Sequence, residues 1–77
     1  MTAGISAPSE LRNIIMKIED SIKRRISLGR KISHQKLADD LVQRFDNMIA
    51  VEYAIINLIR RGELQHVENR KVLIRKK

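Results

Sequence analysis

The hydrophobic pattern of this chain changes period once, at Gly62, and that change limits what the chain can fold into. Before Gly62 the apolar residues recur at helical spacing in three separate stripes; after it they alternate. The first stripe is Leu11, Ile14, Ile15, Ile18 and Ile22, collected on one helical face by steps of three and four. Ser9 can cap this helix with Glu10 in its first turn. The spacing therefore predicts a helix from Glu10 to Ser27, stopped by Gly29, a residue that turns left-handed without a Cβ penalty. Ahead of it, Met1–Pro8 is small, uncharged and carries the single proline, so residues 1–8 read as a flexible leader or linker stub and residues 9–77 as one domain.

Ile32 is a short extended residue before Ser33, which caps a second helix. Leu37 stands at the fourth helical position, so Ile32 and Leu37 can staple the cap, and Leu37, Ala38, Leu41 and Val42 form the buried stripe. Phe45, Asp46 and Asn47 break the pattern. Asp46 or Asn47 caps a third helix from Met48 to Arg61, ended by Gly62, with Val51, Ala54, Ile55 and Leu58 facing inward. Beyond it Leu64 and His66 alternate with Gln65 and Val67, Glu68 and Asn69 make a turn, and Val72 and Ile74 alternate with Lys71, Leu73 and Arg75. Three helices followed by a two-stranded hairpin are the order of a winged helix-turn-helix: an α+β, mostly α fold.

The chain has no cysteine, so disulfides and thiolate metal sites are excluded, and its core must hold by apolar packing alone. No apolar run exceeds four residues, against the roughly 20 a membrane helix needs, so no membrane partner is expected. His34 and His66 fall on different elements without a carboxylate at ligand spacing, which speaks against a metal. Asp39 and Asp40 diverge on their helix, the three glycines are isolated, and no nucleophile has a base beside it. The reading is of a chain without catalytic residues and without a cofactor.

Charge is unevenly spread. The net charge is +7, but residues 1–59 carry nine Lys and Arg against seven Asp and Glu, while residues 60–77 carry seven against two. Arg60, Arg70, Lys71 and Arg75 near the hairpin, with Arg30 and Lys31 after the first helix, are the candidates for contact with DNA phosphates. The alternative for the hairpin is an edge strand guarded by Lys and Arg against sheet-to-sheet pairing. The Lys23–Arg25 run has a simpler role, since cations in a last helical turn complement its dipole by about 0.3–1 kcal/mol each.

A helix that reads bases offers Arg, Asn, Gln or Lys to the groove near its N-terminus. The third helix instead sets Ile49, Tyr53, Ile56, Asn57 and Arg60 opposite its core stripe, and Asn57 alone could make a bidentate base contact. Ile49, Tyr53 and Ile56 are accordingly the candidate protein-docking face.

Two stretches, IEDSIKRRISLG (Ile18–Gly29) and RRGELQHVENRKVLIRKK (Arg60–Lys77), are joined through SHQKLADDLVQRF. Together they resemble the C-terminal winged-helix domain of the fifth subunit of the minichromosome maintenance (MCM) replicative helicase. In that family a KRR-aliphatic-x-aliphatic-Gly helix end enters the domain and an RRGE-aliphatic-QH…RKVL hairpin closes it. The resemblance implies a nuclear, non-catalytic module of a replication licensing helicase, whose partners are the other MCM subunits, helicase-loading factors and DNA held weakly and without sequence preference. MTAGISAP would then be the tail of a linker from the ATPase domain, and the ATP-binding residues of the family have no counterpart in this chain. The competing readings are a free-standing transcription regulator and a scaffold module that never touches DNA.

Overall fold

Ser33 and Asn47 decide where two of the helices begin. The Ser33 side chain accepts a hydrogen bond from the Lys36 amide and that of Asn47 from the Ala50 amide, each satisfying a donor that a helix start leaves unpaired. The computed structural model describes the backbone of residues 3–77 and the side chains of residues 9–77. Its elements are α1 (Ala3–Arg25), β1 (Lys31–Ser33), α2 (His34–Phe45), α3 (Met48–Arg60), β2 (Leu64–Val67) and β3 (Val72–Arg75). The winged helix-turn-helix expected from the period change is the architecture found.

Three details differ from expectation. α1 starts at Ala3, so Ser9 and Pro8 lie within the helix and Ser9 does not cap it. Once the Leu11–Ile22 stripe holds the helix, extending it adds a hydrogen bond per residue with no new nucleation cost, which offsets the bond and the crowding that a proline inside a helix costs. Met1 and Thr2, the beginning of the expected flexible leader, lie outside the described residues. The second difference is in the sheet. Ile32 is the centre of a strand, and the sheet has three antiparallel strands in the order β1-β3-β2. Ile32 pairs with Leu73 and Leu73 with His66, so the last strand is central.

The hairpin turn also runs longer than a Glu68-Asn69 pair. Glu68, Asn69 and Arg70 all have positive φ, and the Lys71 amide donates back to the Glu68 carbonyl. Gly62, with φ +78°, closes α3 as the sequence predicts, and Gly29, with φ +81°, lies in the turn after α1.

One core unites the elements. Ile18, Ile22 and Ile26 of α1 and its exit meet Leu37 and Leu41 of α2, Ala50, Val51, Ala54, Ile55 and Leu58 of α3, and Leu64 and Leu73 of the sheet. Leu11, Ile14, Ile15, Ile32, Ala38 and Val42 pack on its edge. Leu58 and Ile56, two residues apart, test this division. Leu58→Ala should cost about 2–5 kcal/mol in urea unfolding, whereas Ile56→Ala, on the outer face, should change stability by about 0.5 kcal/mol or less.

Candidate nucleic-acid and protein interface

The exposed face of α3 repeats at helical spacing. Ile49, Tyr53 and Ile56 are 61%, 51% and 46% exposed, and Met48 beside them is also exposed. Leu73 of β3 does not cover them, because it is fully buried in the core. Glu52 and Arg60 flank this stripe. Arg60 follows Ile56 by four residues and so sits with the apolar face of α3, at its last turn.

Asn57 is elsewhere. Its side-chain amide donates to Glu19 of α1 at 3.2 Å, and the other Glu19 oxygen accepts from Arg61 at 2.6 Å. Arg61 also reaches Glu63 at 2.9 Å, and Lys23 meets the same carboxylate at 2.7 Å. The helical wheel places Asn57 outward, but the buried carboxylate of Glu19 on the facing helix captures it. The ion pairs tune both ends of this chain. Glu63 is held below the usual carboxylate range by Lys23 and then Arg61, and Arg61 is pushed higher by Glu19 and then Glu63.

The candidate phosphate-binding cations separate in the same way. Arg75 lies on the inner face of β3 across from Leu64. Its guanidinium donates to the carbonyls of Lys23 at 2.9 Å and Ile26 at 2.8 Å, and its Nε donates to the Lys77 carbonyl. It thus satisfies carbonyls at the end of α1 that the helix leaves free, the role assigned from sequence to the Lys23–Arg25 run. Lys23 and Arg25 instead pair with Glu63 and Asp40. Arg70 and Lys71 occupy the exposed hairpin turn, and Arg70 is held at φ 67°. Lys31 faces Glu68 across 3.7 Å, an exposed pair of small energetic weight, and Arg30 is exposed where β1 begins. The structure therefore brings Lys31, Arg70 and Lys71 to one end of the sheet. Lys31 reaches it through its side chain alone, since its backbone pairs with Ile74 at the end of the sheet away from the turn; Arg30 precedes it at that far end, and Arg60 lies on a separate element.

The two histidines, expected on separate elements, are in contact. His34 Nδ1 and His66 Nε2 lie 2.9 Å apart, the ring planes 14° from parallel and the centroids 5.0 Å apart. Spacing along the chain cannot reveal this pair, because the contact depends on β2 reaching back to the first turn of α2. A hydrogen bond between two imidazoles needs one N–H and one free lone pair, so the pair accommodates one shared proton. Among the described residues no group of three or more metal-ligating side chains forms.

Burial first, then His34 and Arg70, hold His66 below the usual histidine range. As pH falls through about 6.5, unfolded chains protonate His66 before folded ones do, so the unfolded state binds more protons and is favoured. The stability contribution is complete above that pH and is lost below it. Urea unfolding midpoints should therefore be lower at pH 5.5 than at pH 7.5, and His66→Gln should shrink the difference. Equal midpoints for the wild-type chain would contradict the pairing.

Comparison with known proteins agrees with the geometry and with the motifs at both ends of the chain. The family model described as MCM5, C-terminal domain, matches residues 17–75. The DNA replication licensing factor MCM5 of Arabidopsis thaliana is 32% identical over 72 residues, covering 94% of this chain and 10% of that protein. Mcm5 of Drosophila melanogaster is 36% identical over 66 residues, covering 86% of the chain and 9% of the relative. The replication licensing factor mcm5 of Xenopus tropicalis is 32% identical over 66 residues, with the same coverage. The chain thus spans about a tenth of the length of these relatives, and the matched region begins in α1 and ends with β3. Three helices, a sheet closed by its last strand and the matched hairpin are one unit, and the chain belongs to the family of MCM5 C-terminal domains.

Proposed function

We propose that this domain is a non-catalytic docking module of a DNA replication licensing helicase, working in the nucleus with the other MCM subunits and with loading factors. Its apolar α3 face of Ile49, Tyr53 and Ile56 meets a protein partner. Its hairpin turn, with Arg70 and Lys71 joined by the Lys31 side chain, meets DNA phosphates weakly and without sequence preference, and Arg30 adds a separate cation at the far end of β1. Arg60, at the end of the apolar stripe, is the phosphate candidate placed where both contacts could meet.

The observation that carries the reading is the division of labour on α3. The helix that a sequence-specific regulator would present to bases offers three apolar side chains, while Asn57 is tied to Glu19. Desolvating an apolar stripe is favourable against protein and gives no hydrogen-bonded readout of base edges. Membership of the family of MCM5 C-terminal domains supplies the context. The ATPase chemistry of a licensing helicase then belongs to parts of the protein beyond this domain.

The reading is tested by fluorescence anisotropy on duplex DNA of random sequence at two salt concentrations. Each phosphate neutralised should contribute about −0.9 to the slope of log K against log salt. Arg70→Ala and Lys71→Ala should each lower affinity across all sequences and reduce that slope by about one. Arg75→Ala should act mainly on stability, lowering the urea midpoint, because its donors hold α1 carbonyls. Tight binding to one sequence, or an unchanged slope in the Arg70 and Lys71 variants, would overturn the phosphate assignment. Ile56→Asp should weaken co-purification with MCM subunits and leave the salt slope intact; unimpaired assembly would overturn the docking face.

A further inference from the structure

The His34–His66 pair stands beside the cations that the proposed phosphate contact uses. A cleft of about 440 Å³ is lined by Ser33, His34, Gln35, Arg70 and Lys71. His34 belongs to this wall and to the imidazole pair at once, and its backbone amide donates to the Lys71 carbonyl at 2.9 Å. The pair is therefore fastened to the turn that carries both cations. Resting on the phosphate reading above, we propose that this cleft takes one phosphodiester of nucleic acid, and that filling it is coupled to the uptake of a proton by the His34–His66 pair.

The chemistry follows from the single shared proton. With the pair neutral, one N–H donates to the other ring and the second ring offers only a lone pair, so neither imidazole carries charge toward the cleft. An added proton goes to the outer nitrogen of the donating ring, so the 2.9 Å hydrogen bond is kept and that ring becomes an imidazolium with a second N–H directed away from its partner. A free cleft opposes this, because its neighbours are cationic. Arg70 and Lys71 lie on the turn; Lys31 of β1 is paired at 3.7 Å with Glu68; on α2, Lys36 adds a further cation, and Asp39 is held by Gln35 at 2.8 Å. A phosphate between Arg70 and Lys71 reverses the balance. It neutralises the cations that repel the added charge and accepts a hydrogen bond from the imidazolium that the charge creates. The burial and positive surroundings that lower the proton affinity of His66 in the free domain are what make the proton follow the anion.

Linkage sets the size of the effect. If one proton enters with each phosphodiester, affinity rises about tenfold for each unit of falling pH while the free pair remains neutral. The test uses the 77-residue chain and a fluorescein-labelled duplex at pH 7.5, 6.5 and 5.5 and constant ionic strength. The wild type should tighten by an order of magnitude or more across that range, and His34→Gln/His66→Gln should lose most of the dependence. Retained binding without pH dependence in the wild type would overturn this inference and leave the phosphate reading standing; absence of binding at every pH would overturn both. The wild-type imidazole Cε1–H resonances give a check independent of variant folding. Adding duplex should raise the pH at which His66 titrates, and an unchanged midpoint would count against the coupling. Inorganic phosphate at the same phosphate concentration should shift the midpoint less; an equal shift would assign the cleft to free phosphate and overturn its assignment to nucleic acid.

Discussion

The Arg75 guanidinium is the point on which the rest of the arrangement depends. It accepts nothing and donates to the Lys23 and Ile26 carbonyls, while its own backbone exchanges hydrogen bonds with the segment entering β1: its amide to the Arg30 carbonyl at 3.0 Å, and the Gly29 amide to its carbonyl at 2.7 Å. The end of α1, the start of β1 and the end of β3 therefore converge on one residue. A helix terminus buried without partners for its carbonyls is costly, and an arginine fork supplies charge-assisted donors in a geometry that lysine lacks. The order β1-β3-β2 follows, because the strand bearing Arg75 must lie next to the one that leaves α1.

Closing the fold in this way separates two kinds of charge. Glu19, Arg61, Glu63 and Lys23 form a chain across α1, α3 and the start of the hairpin, and Arg25 joins α2 through Asp40 at 2.9 Å. These cations have carboxylates within contact distance and contribute little field beyond it. Arg70 and Lys71 stand on a turn whose three left-handed residues lift it from the sheet. Since surface charges are screened within about 8–10 Å at physiological salt, an anion responds to the cations near it and not to the net charge. The +7 of the chain is for this reason a poor guide to its affinity for nucleic acid, and Arg70 and Lys71, which have no carboxylate partner among the described residues, are a better one.

How much of this was legible in the sequence varied with the range of the interaction. The cap at Ser33, the α3 cap as one of Asp46 and Asn47, the core stripes of α2 and α3 and the hairpin all depend on neighbours within a few residues, and periodicity and turn chemistry identified them. The α3 stripe of Ile49, Tyr53 and Ile56 was likewise readable, because an apolar face opposite a core face has nowhere local to hide. The strand character of Ile32 was not, since three residues give no alternation to detect and the strand exists only through pairing with β3. Side chains with long reach were the least readable. Asn57 looked outward on the wheel until Glu19, 38 residues away, captured it, and Arg75 looked like a wing cation until α1, 52 residues away for Lys23, supplied its acceptors.

The same long reach explains why histidines that are 32 residues apart carry more information together than singly. A lone imidazole on a basic surface titrates near its ordinary range and reports little. Two sharing a proton, one of them half-buried near Arg70, have a protonation state that depends on whether the positive field around them is neutralised. In this fold β2 supplies His66, α2 supplies His34, and the turn between β2 and β3 supplies the cations. The proton balance of the pair is thereby tied to the position of the turn. Any anion that draws the turn inward changes the field at His66, and any substitution that shortens Arg70 or Lys71 weakens that link without touching the histidines.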